Sequence, residues 1–125
     1  MNITILGCGT SSGVPALGCD CAVCRSDDPK NQRRRVSILV DQGNTRLLVD
    51  TSPDLRAQLL DAEIIHLDGV LYTHAHADHL HGLDDLRSVN FNMDRAIEVW
   101  GSEATLNMIQ ERFGYAFQPI GSWWS

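Results

Sequence analysis

At 125 residues, 43% of them hydrophobic, the chain has the length of one domain and enough apolar material for a core. Ten basic against sixteen acidic side chains leave a net charge of −6, which argues against strong nucleic-acid binding of the backbone-driven kind, because that depends on clustered Lys and Arg. No segment approaches the ~18 apolar residues of a membrane span, and MNITILGCGTSSG lacks the basic start and sustained apolar run of a signal peptide.

In chain order, residues 2–6 (NITIL) read as a short strand stopped by the glycine-rich GCGTSSG. Residues 14–35 collect Gly, Pro, three cysteines and a basic run (Lys30, Arg33, Arg34, Arg35), and read as a long ordered excursion. A loop of that length calls for a site or a metal to organise it. Within it Cys19, Cys21 and Cys24 form C-x-C-x-x-C, with Cys8 apart. Disulfide frameworks spread their cysteines to staple distant segments. Three within six residues look instead like thiolates converging on one ion, and fit a reducing, cytoplasmic location. The basic run reads as a solvated charged face, with attraction of a phosphate as its alternative.

Residues 36–40 and 45–49 are β-rich runs joined by DQGN, a hairpin signal with Gly43-Asn44 at the turn. Ser52-Pro53 reads as an N-cap followed by proline at the first helical position, opening PDLRAQLLDA. Residues 69–73 (GVLYT) are a strand that runs directly into THAHADHLHG. A helix is predicted over 80–88, a strand over 97–100, and a helix over 102–113 capped by Ser102. The alternation predicts an α/β fold with a mixed sheet, residues 1–125 forming a single domain. Trp123 and Trp124 at the chain end suit a segment that packs on something further.

THAHADHLHG holds four of the five histidines of the chain. Steps of two scatter side chains around a helix, but in an extended segment they place His74, His76 and Asp78 on one side. The spacing therefore predicts a loop at the end of the GVLYT strand, with His79 near the start of the next helix. Imidazole with carboxylate suits zinc, iron or manganese, and favours a hydrolytic metal over electron transfer. Four clustered ligands read as two ions, His74 and His76 sharing one, Asp78 and His79 its neighbour. Two cations ~3.5–4 Å apart can activate a water and steady both oxygens of a phosphoryl transfer. A polar, exposed histidine-rich turn is the bland alternative. His81 reads as a rim or hydrogen-bonding residue.

The H-x-H-x-D-H of THAHADHLHG resembles the signature of the metallo-β-lactamase superfamily, and LLVDTSPD resembles that superfamily's first motif, with its aspartate at Asp50. GCGTSSGVPALGCDCAVC, RRRVSILV and HGLDDLR together resemble the phosphoribosyl 1,2-cyclic phosphate phosphodiesterase branch. The resemblance implies an αββα sandwich and two divalent metals, zinc or manganese, at the catalytic site. His74 and His76 would hold the first, Asp78 and His79 the second, Asp78 also orienting the attacking water. It implies a structural zinc on Cys19, Cys21 and Cys24, and Asp50 orienting a ligand; without the resemblance Asp50 reads equally as a cap on the Ser52-Pro53 turn. The implied reaction is hydrolysis of a small, cyclic phosphodiester. Members of the family usually run to roughly twice this length and take further ligands from a second α/β half.

The expectation is accordingly an N-terminal αβ half truncated at its C-terminus, with an uncovered apolar sheet face that invites homodimerisation, and little activity from the chain alone. Within the same fold, an RNA-processing endonuclease or a cofactor-biosynthesis relative is the alternative. From a different class, so is a non-catalytic module that uses only the cysteine site. The substrate-binding residues are not legible.

Overall fold

The computed structural model describes residues 1–118; Trp123 and Trp124 lie outside them. The predicted hairpin forms: strand β2 (Ser37–Gln42) turns into β3 (Thr45–Val49) at Gly43, whose φ of +58° is a left-handed conformation that glycine adopts without steric cost. Strand β1 (Asn2–Gly7) pairs antiparallel with β2, while β4 (Gly69–Leu71) and β5 (Glu98–Trp100) continue parallel from β3. The result is a mixed five-stranded sheet in the order β1-β2-β3-β4-β5, as the alternating pattern predicts.

Register divides the sheet into two unlike faces. On one, Leu39, Leu48, Val70 and Val99 lie in one cross-strand row. The helices α1 (Leu55–Asp61), α3 (Leu86–Met93) and α4 (Glu103–Phe113) supply Leu55, Leu59, Leu86, Val89 and Ile109 to the same core. Fully burying each such side chain contributes roughly 1.5–3 kcal/mol. On the other face Ile5, Ile38, Val49, Leu71 and Trp100 form an equally apolar row. There Ile5 is 67% exposed, Ile3 58%, Leu71 41% and Trp100 43%. Among the described residues nothing covers that face, so the expected uncovered apolar sheet face is present. No helix among them is long and apolar enough to cross a membrane.

Two helix predictions differ from the structure for local reasons. The helix expected from Pro53 begins at Leu55. The Ser52 hydroxyl accepts from Asp54 N at 3.2 Å and donates to Gln58 Oε1 at 2.9 Å, which closes a turn ahead of the helix rather than capping it. Asp54, at the cap position, does not cap either, because its carboxylate is held by Arg35.

The helix expected over 80–88 is broken into the single turn α2 (Ala77–Leu80), a 3₁₀ turn over Leu83–Asp85, and α3. The break falls at Gly82. Its N–H donates to Thr51 O at 3.0 Å, and a Cβ there would collide with Ser52 O and Leu55. The helix over 103–113 is as predicted, with Ser102 Oγ accepting from Thr105 N at 3.2 Å.

Candidate metal centre

Adjacent parallel strands end side by side, so the segment after β3 (Asp50, Thr51, Ser52) meets the segment after β4 (Tyr72 to His76). Asp50 N donates to Leu71 O at 2.9 Å, one step past the ladder. The chain then turns sharply, with Asp50 at φ +61°, a region that aspartate tolerates better than most side chains. The turn leaves the Asp50 carboxylate 3% exposed and facing the histidine loop. Oδ1 accepts from Thr73 N at 2.8 Å, and Oδ2 accepts from Thr73 Oγ1 at 2.7 Å and faces His79 Nδ1 at 2.7 Å. The carboxylate thus serves the histidine loop rather than the Ser52-Pro53 turn.

Thr51 completes the join. Its N–H donates to His79 O at 2.8 Å and its hydroxyl to Leu80 O at 3.0 Å. One hydroxyl proton is then spent, so at 2.8 Å the buried Tyr72 phenol must be the donor to Thr51 Oγ1. Burial pushes the Tyr72 phenol well above its ordinary range, which keeps that donor protonated. From the far side Arg112 on α4 donates to Ala75 O at 2.6 Å, and Phe113 stands edge-on to His81 with ring centroids 5.8 Å apart. His81 is therefore an exposed rim residue against an aromatic ring.

Held this way, the His74 and His76 rings lie 4.6 Å apart between centroids, and His74 and His79 4.0 Å. Asp78 departs from the expected extended placement: it sits with His79 on the single helical turn α2, while His76 is the extended residue before it. Asp78 Oδ2 and His79 Nε2 are 3.5 Å apart, long for a hydrogen bond. Two donor atoms on one tetrahedral zinc at 2.0–2.1 Å lie roughly 3.3–3.4 Å from each other, so this pair has the span of a shared ion. With Asp50 ionised, His79 Nδ1 carries the hydrogen of its 2.7 Å contact and Nε2 keeps its lone pair for a metal. Among the described residues, no three of His74, His76, Asp78 and His79 bring donor atoms within 4.8 Å of one another. The remaining histidine, His66, lies beside the hairpin turn with Asp41 and Arg46.

The cysteine loop is a second, separate cluster. Donor atoms of Cys19, Cys21 and Cys24 lie within 4.8 Å of one another, and sulfurs on a tetrahedral zinc with ~2.3 Å bonds sit roughly 3.8 Å apart. Cys24 N donates to Cys21 Sγ at 3.5 Å, and Ala16 N to Cys24 Sγ at 3.4 Å. The Cys24 amide, with help from the neighbouring thiols, draws the Cys21 thiol down to about 7. For Cys24 the Ala16 amide pulls downward, but the Cys19 thiol and burial outweigh it and leave Cys24 raised. Cys8 is free and exposed as well.

Most of the basic run lies at the surface, and Arg35 alone is drawn into a part-buried contact. Arg35 makes a bidentate contact with Asp54, at 2.6 and 2.9 Å, Arg34 reaches Asp61 at 2.7 Å, and Arg33 Nε donates to Lys30 O. A cavity of about 480 Å³ lies between α3, β5 and residues 116–118, lined by Leu86, Phe91, Ile97 and Phe117 among others, and none of the clustered histidines or cysteines reaches it. Sequence reasoning missed Thr51, Thr73 and Arg112. Thr51 and Thr73 adjoin motif residues; Arg112 gives no local signal, being 37 residues from its partner Ala75.

A sequence model of the beta-lactamase superfamily domain matches residues 45–122. In structure the chain is similar to a diphosphatase from the PhnP family, with a TM-score of 0.87 and 44% identity over 92% of this chain and 46% of that one. It is similar to Zn²⁺-bound PqqB from Methylobacterium extorquens with a TM-score of 0.73 and 26% identity, over 89% of this chain and 40% of that one. In sequence it is 47% identical over 120 residues to an octanoyltransferase of Porphyromonas gingivalis, across 94% of this chain and 24% of that protein. The chain spans less than half the length of each of these relatives.

Proposed function

Because this chain belongs to the beta-lactamase superfamily, we propose that it carries part of a metal-dependent hydrolase site for a small phosphodiester, a cyclic one in the first instance. The observation that carries the reading is the pairing of Asp78 Oδ2 with His79 Nε2 at 3.5 Å while the His79 Nδ1 side is engaged by buried Asp50. A ring so held presents one nitrogen in one direction, which is what a metal ligand must do. His74 and His76 form the neighbouring pair for a second ion. Divalent zinc or manganese, when bound, supplies Lewis-acid stabilisation of the phosphoryl oxygens and lowers the pKa of water.

The residues of this chain contribute position and charge. Asp78 offers a carboxylate that can hold an ion and accept a hydrogen bond from attacking water. Asp50 holds His79, and Thr51 fixes the backbone of α2. Cys19, Cys21 and Cys24 would hold a separate structural zinc, which would tie down the excursion over residues 14–35. The similarity to a PhnP-family diphosphatase supports phosphoester chemistry; the PqqB relatives favour a second reading, a cofactor-biosynthesis role on the same fold.

The deciding experiment incubates the chain with Mn²⁺ or Zn²⁺ and three substrates: a ribose 1,2-cyclic phosphate, a diphosphate diester and bis-p-nitrophenyl phosphate. From a partial site slow, metal-dependent turnover of at least one phosphoester is expected, falling to the metal-free background in His76→Ala. Turnover that survives in His76→Ala, or a histidine loop that binds neither Mn²⁺ nor Zn²⁺, sinks the phosphoesterase reading.

A further inference from the structure

We propose that Thr73 is a positioning residue that selects which nitrogen of His74 faces the metal, passing the orientation set by Asp50 on to a second ring. The inference builds on the reading of His74 and His79 as metal ligands, although its test does not depend on hydrolysis.

The Thr73 hydroxyl stands 2.7 Å from Asp50 Oδ2 and 2.9 Å from His74 Nδ1. A threonine hydroxyl has one proton and two lone pairs, and an ionised carboxylate only accepts. The proton therefore goes to Asp50, in a charge-assisted bond of the short, strong kind. Toward His74 the hydroxyl has only a lone pair to offer, so Nδ1 must donate. A neutral His74 ring that donates from Nδ1 has its lone pair on Nε2.

Asp50 Oδ2 also faces His79 Nδ1 at 2.7 Å. One buried carboxylate thus sets two rings, His79 directly and His74 through the Thr73 hydroxyl. The third distance supports this division: Thr73 Oγ1 to His79 Nδ1 is 3.5 Å, too long to compete with the carboxylate. Thr73 itself is anchored by its own N–H, which donates to Asp50 Oδ1 at 2.8 Å. Without the hydroxyl, His74 returns to the preference of neutral imidazole in water, where the hydrogen sits on Nε2. That form cannot bind a metal through Nε2 without first moving a proton.

The test reads the tautomer in the metal-free 125-residue chain, from side-chain ¹⁵N shifts in long-range ¹H–¹⁵N spectra at a pH where the rings are neutral. In the wild type and in Thr73→Ser, His74 should show a protonated Nδ1 and an unprotonated Nε2. In Thr73→Val, His74 should shift toward the opposite form while His79 keeps its own. Zn²⁺ affinity at the histidine loop should fall 10–100-fold in Thr73→Val and stay close to wild type in Thr73→Ser. A wild-type His74 already protonated at Nε2 overturns the proposal, whether or not the valine variant folds. So does a His74 tautomer unchanged by the valine substitution. Phosphoesterase failure with the expected tautomers would overturn only the functional reading.

Discussion

The histidine loop and the cysteine loop both gather metal-binding side chains within a few residues, but the protein holds them by opposite means. Around the histidines the backbone is tied at Thr51, Gly82 and Ala75, and a carboxylate 3% exposed holds the side chains. Around the cysteines the clustered side chains accept only from nearby loop amides, those of Ala16 and Cys24, and Cys19 and Cys21 are exposed. Catalytic ligands need a rigid frame before the metal arrives, because reactivity depends on an open coordination position and fixed geometry. A structural ion can supply the rigidity itself, its binding energy becoming folding energy. The difference predicts that the first loop keeps its shape without metal and the second does not.

The sharpest way to break that contrast is Asp50→Ala. It removes the acceptor for Thr73 N, Thr73 Oγ1 and His79 Nδ1 at once and leaves alanine at φ +61°, where a Cβ without a polar group is disfavoured. The lost bonds to a charged acceptor, with part-buried donors left unsatisfied, put the loss at about 2–3 kcal/mol. Urea denaturation of the metal-free protein measures it. Asp50→Asn, which tolerates the turn and keeps one oxygen, should lose less. A loss below about 1 kcal/mol for the alanine variant would mean that the histidine loop is not held by this carboxylate.

Next in size is the response of the cysteine loop to zinc. Amide exchange over residues 16–26 should be fast in metal-free protein and slow by roughly 10²-fold with one equivalent of Zn²⁺, in line with the coupling of zinc binding to local folding. Cys21→Ser should abolish the slowing. The amides of Thr51 and His79, bonded to His79 O and His76 O, should exchange slowly with or without zinc. Equal protection of both loops in metal-free protein would dissolve the distinction.

The two loops also differ in how far the sequence discloses them. Ligand types and spacing are local, so THAHADHLHG and the C-x-C-x-x-C run stand out on inspection, as do the hairpin, the mixed sheet and the Ser102 cap. What holds the histidine loop is nonlocal. Gly82 ends a helical pattern because of Ser52 O and Leu55, which nothing in residues 80–88 announces. Ser52 carries the composition of an N-cap, yet its hydroxyl goes to Gln58. Asp78 follows the alternation of an extended segment on paper, and lies on a helical turn because Thr51 captures the carbonyls of His79 and Leu80. Arg112 reaches Ala75 from the last turn of a helix whose amphipathic pattern explains only its buried face.

The smallest expected effect concerns the seam between the two regions, where Arg35 closes the cysteine excursion against Asp54 at the head of α1. The Arg35 side chain bonded to Asp54 holds the Asp54 carboxyl below its ordinary 3.8, burial opposing it in part. A carboxyl depressed in the folded state adds stability above its unfolded pKa, and loses that contribution as the pH falls through its folded value. The pair is about a quarter exposed on each side, 29% for Arg35 and 24% for Asp54, so its worth at neutral pH is about 1 kcal/mol, between an open surface pair and a buried one. Asp54→Asn should therefore be less stable than wild type at pH 7 by about that amount. The gap should shrink as the pH falls below 3.8, where the unfolded chain's carboxyl takes up its proton first, and close as the pH passes the lowered folded value. Exchange at the Gly9 and Val14 amides, which donate to Arg34 O and Arg33 O, should quicken in the variant at neutral pH, while that at Thr51 should not. A gap that stays constant down to pH 2 would mean that the asparagine disturbs packing at the head of α1. A quickening at Thr51 would mean that the seam transmits to the histidine loop, and that the two regions are less independent than their separate hydrogen bonds imply.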